Sequence, residues 1–405
     1  MSDRRRFLST LVIPAVASLP ASLRAAAKPW QPAELAEGAA AEGYLESIPG
    51  KVPLIKRSYR PPNFETPIDY FKEPITRNDA FFVRYHLAGI PQAIDAKAWR
   101  LKVGGDAARQ SAEYTFEQLR HDFDPVELVA VCQCSGNRRG MFQPHVQGVE
   151  WGVGAMGNAR WKGVRLKDIL DKAGLSDKAV EVAFDGADGP AMASTPDFVK
   201  SIPVDRAMAE GTIVAYEMNG KPLPHFNGFP ARLIVAGWTG TYWMKHLTSI
   251  EARTTPQGGF WMNPAYRIPA NTFHVDPFPT QATAANQPIT DIVVNSLVTS
   301  IRDGQRVKRG DMVDIAGVAW DGGRGIRDVE VSMDDGQSWV LALLGKDLGP
   351  YSFRTFSHRF RVGDAAPVVR VRAYNNRGDT QVEKLIFNPA GYHHNVVQRI
   401  RLEVV

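Results

Sequence analysis

The stretch Val131-Cys132-Gln133-Cys134-Ser135-Gly136-Asn137-Arg138-Arg139-Gly140 holds both cysteines of the chain and two adjacent arginines. Residues 127–132 are mostly apolar and predict a buried strand, so the second thiol would lie where a strand opens into a loop. Arginines beside a thiol stabilise its thiolate, which is a nucleophile or a metal ligand. The alternative is that both cysteines are small core side chains, as most free cysteines are. This junction is therefore the first candidate for a functional site.

Short strands and short helices surround this stretch. Residues 165–173 predict a helix, because their apolar side chains recur at helical spacing before a glycine. Residues 180–184 and 231–235 are apolar runs that predict strands. The region 79–275 is therefore expected to form a mixed α+β domain.

The residue pattern changes from about residue 280, where helical periodicity disappears and short apolar runs alternate with turns. The predicted strands are residues 313–320, 329–333, 339–344, 353–362 and 368–374. Several strands at this spacing are typical of an immunoglobulin-like β-sandwich. We therefore expect such a domain at residues 280–405, after the mixed α+β domain.

The first 27 residues are typical of an export signal. Asp3-Arg4-Arg5-Arg6-Phe7-Leu8 is similar to the twin-arginine pattern, an apolar run follows, and Ala25-Ala26-Ala27 is a suitable cleavage site. The alternative is a cytosolic protein with a basic tail. We expect the periplasm, without a membrane anchor, because no later run reaches about 18 apolar residues. Residues 28–78 are rich in proline and predict an extended arm, with a short helix near Ala33–Tyr44.

Composition and charge bound the class of protein. The 405 residues are 44% hydrophobic and 22% charged, which is typical of globular proteins, and the length suffices for two domains. The formal net charge is +5, but removal of the signal takes 48 basic and 43 acidic residues to 44 and 42, or +2. No block of lysines and arginines remains that would predict a nucleic-acid site. Nucleic acid is therefore not an expected partner.

The segment from Cys134 to Arg139 is similar to the Cys-Ala-Gly-Asn-Arg-Arg segment of the sulfite oxidase family. Four further segments match the family in the same order, and together they span most of residues 80–400. They are Phe82-Val83-Arg84-Tyr85-His86; Trp161 with Gly163; Tyr216-Glu217-Met218-Asn219-Gly220 continuing to Arg232; and Val329 to Trp339, which resembles the family's dimerisation domain. The resemblance implies a sulfite-oxidase-type molybdopterin-binding domain at residues 79–275.

The resemblance also implies a cofactor, molybdenum bound to molybdopterin, with Cys134 as the metal ligand, since a soft thiolate suits such a metal. The pterin phosphate requires cationic side chains and main-chain donors. The implied cofactor contacts are Phe82, Val83, Arg84, Tyr85, His86, Asp188, Asn227, Arg232, Trp243, Met244 and Lys245. Asn227 stands where the family has a histidine, so an uncharged amide replaces a phosphate ligand there.

The implied substrate contacts are Arg84 and Arg139 as pocket arginines, Trp151 as a wall, and Tyr266, whose hydroxyl would hydrogen-bond the substrate. Planar guanidinium groups suit a small dianion such as sulfite. Animal members of the family carry a further pocket arginine near the C-terminus, where this chain has Ala390. Anion binding would then depend on fewer arginines, or on His86 or another group, and we expect a shift in substrate affinity without loss of activity.

The function implied by the resemblance is that of an exported sulfite dehydrogenase, which oxidises sulfite to sulfate and passes electrons singly to a c-type cytochrome. Animal members have a haem-binding domain ahead of the molybdenum domain, and the arm at 28–78 is too short for one. The C-terminal domain is expected to mediate a homodimer or to contact a cytochrome subunit. Two alternatives stay open: a molybdopterin reductase of methionine sulfoxide, and a non-catalytic homologue that binds a partner.

Overall fold

The computed structural model describes residues 44–405. The export signal predicted at residues 1–27 lies outside the described residues, as does the first part of the arm predicted at 28–78. The helix predicted near Ala33–Tyr44 also lies outside them, except for Tyr44, which begins a strand. Between residues 44 and 405, no helix is long and apolar enough to cross a membrane.

A four-stranded antiparallel sheet begins the described chain. Its strands, hydrogen-bonded in this order, are β1 (Tyr44–Glu46), β2 (Leu54–Ser58), β3 (Asn63–Glu65) and β4 (Val83–Arg84). The largely buried side chains of Arg57 and Glu65 form an ion pair at 3.1 Å. Glu65 also accepts a hydrogen bond from the backbone N–H of Gly152 at 2.7 Å. The described part of the predicted arm thus contributes three short strands to this sheet, and the sheet holds the strand that carries Arg84.

The following region contains two larger sheets. The strands of the first are β5 (Arg100–Gly104), β6 (Ala112–Thr115), β9 (Glu181–Gly186), β10 (Lys200–Pro203) and β14 (Leu247–Arg253). They are hydrogen-bonded in the order β10-β9-β14-β5-β6, and only β14 and β5 run parallel. The strands of the second are β7 (Pro125–Gln133), β8 (Met156–Arg165), β11 (Thr212–Met218), β12 (Lys221–Pro222) and β13 (Arg232–Val235). Their order is β12-β11-β8-β7, and β13 also pairs with β11.

Helices are few in the described part of the chain. The α-helices are α1 (Phe116–His121), α2 (Leu166–Ala173) and α3 (Val204–Ala207). Single 3-10 turns are found at Ile68–Phe71, Arg139–Met141, His225–Asn227, Gly240–Tyr242 and Pro279–Gln281. The domain is therefore mostly strand, so the expected alternation of strands and helices holds only in part, and the α+β class stays a prediction.

Helix α2 confirms the helix predicted at residues 165–173. It buries Leu166, Ile169 and Leu170 on one face, as their spacing requires. Gly174 ends it with a φ of 69°, and the Gly174 N–H donates hydrogen bonds to the carbonyls of Leu170 and Asp171. This is the left-handed helix end that glycine favours.

The C-terminal half consists almost entirely of strands. A two-stranded ribbon of β15 (Arg267–Pro269) and β16 (Asn286–Pro288) leads into it. Its own strands are β17 (Asn295–Val298), β18 (Gln305–Val307), β19 (Met312–Trp320), β20 (Ile326–Ser332), β21 (Val340–Leu341), β22 (Leu343–Leu344), β23 (Arg354–Arg361), β24 (Val368–Asn375) and β25 (Gln398–Val404). They form sheets of order β17-β19-β23-β22 and β18-β25-β24-β20-β21.

Apolar side chains of both C-terminal sheets share one core. Ile315 and Phe356 of the first sheet and Val331 and Val371 of the second belong to it, and all are nearly inaccessible to solvent. The half is therefore a two-layer sandwich, and four of its five predicted strands are confirmed to within a few residues. The strand predicted at 339–344 is instead two short strands, Val340–Leu341 and Leu343–Leu344, which belong to different sheets. Its immunoglobulin-like class stays a prediction.

The two halves are joined by a further shared core. Val131 and Met156 of the first half pack with Leu297, Trp320 and Phe353 of the second. Because β7 leads directly to Cys134, the C-terminal sandwich supports the strand that positions the thiol.

Candidate active site

The loop after β7 positions the thiol of Cys134. The backbone N–H of Cys134 donates to the carbonyl of Ala155 at 2.9 Å, and the Cys134 carbonyl accepts from the N–H of Asn137 at 2.9 Å. Arg138 adopts a left-handed φ of 67°, which turns the chain sharply. Both Cys132 and Cys134 are buried free thiols.

Residues of the C-terminal half hold this loop from the other side. The indole N–H of Trp320 donates to Oε1 of Gln133 at 2.7 Å. The guanidinium of Arg138 donates to the carbonyl of Ser296 at 2.7 Å. The backbone N–H of His393 donates to the carbonyl of Ser135 at 3.3 Å. The thiol is therefore fixed by contacts with both halves.

The thiol of Cys134 faces a cavity of about 600 Å³, including its open mouth. Eleven of the predicted site residues line it: Phe82, Arg84, His86, Cys134, Asp188, Asn227, Arg232, Trp243, Met244, Lys245 and Tyr266. They come from distant parts of the chain, from Phe82, the residue before β4, to Tyr266, the residue before β15. The structure thus brings most of the predicted site together.

Four predicted residues do not line the cavity. Val83 and Trp151 are buried with no exposed surface. Tyr85 lies behind the wall, and its hydroxyl is hydrogen-bonded to His246 at 2.7 Å. The guanidinium of Arg139 donates to the carbonyls of Val149 at 3.1 Å and Ala390 at 2.9 Å. These four side chains support the site from behind.

The cavity wall carries more positive than negative charge. Arg84, Arg232 and Lys245 line it, and among residues 44–405 Asp188 is the one acidic residue that does so. Burial lowers the pKa of Lys245 to about 8, an effect that Asp188 opposes. Burial also raises the pKa of Asp188, so its negative charge is disfavoured. The balance suits an anionic ligand.

Arg232 is a buried cation held in place by backbone oxygens. It is only 4% exposed, and it donates to the carbonyls of Asn227 at 2.9 Å and Trp243 at 3.1 Å. Its guanidinium also lies over the rings of Trp161 and Trp243, at 5.2 and 5.7 Å. A rigid guanidinium in a low-dielectric wall interacts strongly with any anion placed beside it.

Several polar atoms of the wall have no hydrogen-bond partner within residues 44–405. They are Nε of Arg84 and Arg232 and the hydroxyls of Ser135 and Thr241. Buried polar groups are normally paired, so such atoms indicate a polar ligand. Within the same residues, no group of three or more His, Cys, Asp or Glu side chains is arranged to hold a metal ion. A polar, anionic cofactor whose metal takes a thiolate ligand fits this wall.

Tyr266 and His86 form a pair at the cavity. The Tyr266 hydroxyl and Nε2 of His86 are hydrogen-bonded. Burial and the neighbouring cations, first Arg84, hold the pKa of His86 well below its usual range, so the imidazole is neutral. The ring of Phe198 stacks on His86 with centroids 3.7 Å apart. A neutral imidazole can accept the hydroxyl proton of Tyr266 when its own proton is on Nδ1.

Asn227 is engaged by the protein itself. Its Oδ1 accepts from Nζ of Lys51 at 2.6 Å, and its Nδ2 donates to the carbonyl of Phe82 at 3.1 Å. Lys51 also donates to the carbonyls of Asn78 and Phe81, and burial lowers its pKa to about 7. A lysine of the predicted arm thus lies behind Asn227 and fixes the orientation of its amide, while burial disfavours the positive charge of that lysine.

Sequence reasoning missed Lys51, Ser135, Phe198 and Thr241. Ser135 follows Cys134 directly, and that adjacency was an available signal. Thr241 lies two residues before Trp243, so its position was also an available signal, whereas Lys51 and Phe198 lie far from the matched segments.

Comparisons with known proteins agree with this geometry. Residues 86–261 match the model of the oxidoreductase molybdopterin binding domain, and residues 286–405 match that of the Mo-co oxidoreductase dimerisation domain. Mitochondrial sulfite oxidase of Homo sapiens is 36% identical over 311 residues, which is 73% of this chain and 54% of that protein. NADH nitrate reductase of Hordeum vulgare is 29% identical over 392 residues, 90% of this chain and 42% of that protein.

This chain thus spans about half the length of these relatives. Among solved structures, the sulfane dehydrogenase SoxCD from Paracoccus pantotrophus superposes with a TM-score of 0.74 at 22% identity, covering 98% of this chain and 93% of that one. The solved structure shares the fold, and the two domain models together match residues 86–261 and 286–405 of this chain. The chain belongs to the sulfite oxidase family, whose cofactor is molybdenum bound to molybdopterin.

Proposed function

We propose that this protein is a molybdopterin-dependent sulfite dehydrogenase that oxidises sulfite to sulfate. One observation carries the proposal: a single cavity wall brings together the Cys134 thiol, the Arg84 guanidinium and the hydrogen-bonded pair of His86 and Tyr266. A metal ligand, an anion-binding group and a proton-handling pair are what oxidation of a small sulfur oxyanion requires.

Cys134 is the proposed metal ligand, and the cationic wall is the proposed pterin site. When bound, the cofactor supplies oxygen-atom transfer and accepts two electrons. Arg232 and Lys245, with the unpartnered hydroxyls of Ser135 and Thr241, would hold its anionic and polar groups. Phe82, Trp243 and Met244 line the same wall and would exclude water from it.

The side chains beside the thiol would bind and orient the substrate. Arg84 compensates the charge of the sulfite dianion, and its Nε is free to donate to an oxyanion. The Tyr266 hydroxyl donates its hydrogen bond either to the substrate or to Nε2 of the neutral His86. Arg139 and Trp151 support this pocket from behind its wall.

We also propose that the protein acts in the periplasm and passes electrons singly to a c-type cytochrome. The twin-arginine pattern near Arg4 supports export. The match of residues 286–405 to a dimerisation domain supports pairing of two copies through the C-terminal half. A cytochrome subunit contacting that half is the alternative assembly.

The test is sulfite-dependent reduction of ferricyanide and of cytochrome c by protein exported from a molybdenum-replete host, with metal analysis of the same sample. We expect one molybdenum per chain, turnover with sulfite, and a preference for cytochrome c. A Cys134→Ser sample prepared in parallel is the control. Molybdenum without sulfite turnover, but with reduction of methionine sulfoxide, would contradict the proposal. Absence of molybdenum would favour a non-catalytic, partner-binding protein.

A further inference from the structure

We propose that Tyr392 is a positioning residue that holds Tyr266 in its working orientation, with Arg139 supporting Tyr392 in turn. The inference rests on the proposed role of the Tyr266 hydroxyl. It concerns the residues around that side chain and not the metal centre.

Tyr266 lies in a backbone conformation that needs support. Its φ is 58°, in the left-handed region that non-glycine residues rarely adopt. Such a conformation persists only where the surrounding structure holds it. The Tyr266 carbonyl accepts a hydrogen bond from the N–H of Ile289 at 3.0 Å, and the residue is only 7% exposed, so packed neighbours also contribute to this support.

The neighbour with the largest parallel contact is Tyr392. The two rings lie 5.7 Å apart between centroids and only 10° from parallel. Offset stacking of this kind favours one relative orientation of two rings. The other contacts to the Tyr266 ring restrict its orientation less. Nζ of Lys200 lies 5.1 Å from the ring centroid, and the Trp261 ring is tilted by 38° with its centroid 6.4 Å away.

Tyr392 is itself rigidly held by a turn of the C-terminal half. Its backbone N–H donates to Oδ1 of Asn388 at 2.9 Å, and its carbonyl accepts from Nδ2 of the same residue at 2.8 Å. The Asn388 side chain is 1% exposed, so these bonds are shielded from water. The ring therefore projects from a closed, buried turn.

Arg139 ties that turn to the thiol loop. Its guanidinium carbon lies 5.3 Å from the Tyr392 ring centroid, and its Nε donates to the carbonyl of Ala390. The guanidinium also packs against Gly136, where a Cβ would approach it within 2.3 Å. The loop that carries Cys134 and the turn that carries Tyr392 are thus built around one arginine.

Tyr266 also lines the cavity that Cys134 faces. Its hydroxyl is hydrogen-bonded to His86, and Phe198 stacks on that imidazole. A connected row therefore runs from Arg139 through Tyr392 and Tyr266 to His86. Loss of the Tyr392 ring should free Tyr266 to rotate and weaken its hydrogen bond to His86.

The experiment uses the full-length holoenzyme with three variants: Tyr392→Leu, which removes the ring; Tyr392→Phe, which keeps it; and Tyr266→Phe, which removes the hydroxyl. The first readout is the nitrogen-15 NMR resonance of the His86 imidazole, assigned by its loss in His86→Gln. We expect Tyr392→Leu to move this resonance towards its position in Tyr266→Phe, and Tyr392→Phe to leave it in place. This readout does not depend on turnover.

The second readout is sulfite oxidation with ferricyanide as acceptor. An aromatic pair shifts an orientational equilibrium by about two- to tenfold, so Tyr392→Leu should lower kcat by about that factor. The KM for sulfite should stay within about twofold, because the charge of Arg84 is retained. In a Tyr266→Phe background the same change should have almost no further effect, because no hydroxyl remains to be positioned.

Either of two results would overturn the proposal: a folded Tyr392→Leu protein with the wild-type His86 resonance, or an equal loss of kcat in both Tyr266 backgrounds. If Tyr392→Leu does not fold, Arg139→Gln takes its place, because it removes the guanidinium that supports the Tyr392 ring. This variant should shift the His86 resonance in the same direction as expected for Tyr392→Leu. An unshifted resonance would also refute the proposal. Unchanged turnover in Tyr266→Phe would instead refute the proposed role of Tyr266, while the NMR readout still tests its positioning.

Discussion

The hydrogen bond between Trp320 and Gln133 joins the C-terminal sandwich to the residue before Cys134. The indole is fully buried, Gln133 is 4% exposed, and the donor–acceptor distance is 2.7 Å. In a Trp320→Phe variant, Oε1 of Gln133 would lose this donor inside the protein. We expect this change to destabilise the fold and to loosen the thiol loop.

The magnitude follows from two contributions. A buried acceptor left without its donor costs about 1–3 kcal/mol. The loss of two buried ring carbons adds about 1.6 kcal/mol, so the free energy of unfolding should fall by about 2.6–4.6 kcal/mol. Gln133→Met instead leaves the buried indole N–H of Trp320 without an acceptor and should lower the free energy of unfolding by about 1–3 kcal/mol. In the double variant no buried polar group is left without a partner. Its loss of unfolding free energy should therefore be smaller than the sum of the two single losses by at least about 1 kcal/mol.

Urea denaturation of the four proteins measures this coupling, and molybdenum per chain reports the state of the thiol loop. Trp320→Phe should lower the molybdenum content. Trp339→Phe is the matched control, because its indole N–H also donates a hydrogen bond, to the carbonyl of Gly336 at 3.0 Å, but on a half-exposed turn of the same domain. Additivity of the two single changes within about 0.5 kcal/mol would refute the reasoning.

Three further changes test the site. Cys134→Ser should lose molybdenum and sulfite turnover with an unchanged circular dichroism spectrum, whereas Cys132→Ser should keep both; equal losses would contradict the choice of ligand. Arg84→Gln should raise the KM for sulfite about 10- to 100-fold, because a hydrogen bond to a charged group contributes about 1.5–3 kcal/mol. An unchanged KM in steady-state kinetics would show that Arg84 does not bind the substrate. Burial lowers the pKa of His393 to about 3. Between about pH 3 and the usual histidine pKa of about 6.5, the unfolded chain therefore binds a proton at this residue that the native protein does not bind. The free energy of unfolding should consequently fall as the pH is lowered below about 6.5. His393→Leu should therefore gain about 2 kcal/mol relative to the parent on going from pH 7 to pH 5, and identical acid dependence of the two urea midpoints would rule this out.

Much of the fold was predictable because its signals are local. The helix predicted at residues 165–173 is found at Leu166–Ala173, since its apolar spacing and its terminal glycine act within a few turns of chain. The strand predicted at 313–320 is found at Met312–Trp320. The first sheet, whose outer strands are Tyr44–Glu46 and Val83–Arg84, was not predicted, because strands of two to five residues carry too little local pattern to be recognised.

The sequence by itself determined the chemistry of this protein: a thiol in a basic loop, and a set of matched segments that implied a molybdopterin site and its main residues. Only the tertiary structure decided which of those residues face the cavity. It placed Arg139 behind the wall, Lys51 behind Asn227, and Tyr392 against Tyr266. The physical reason is that these contacts join residues up to about 250 positions apart, through packing of both halves around one loop. Local spacing carries no information about such contacts.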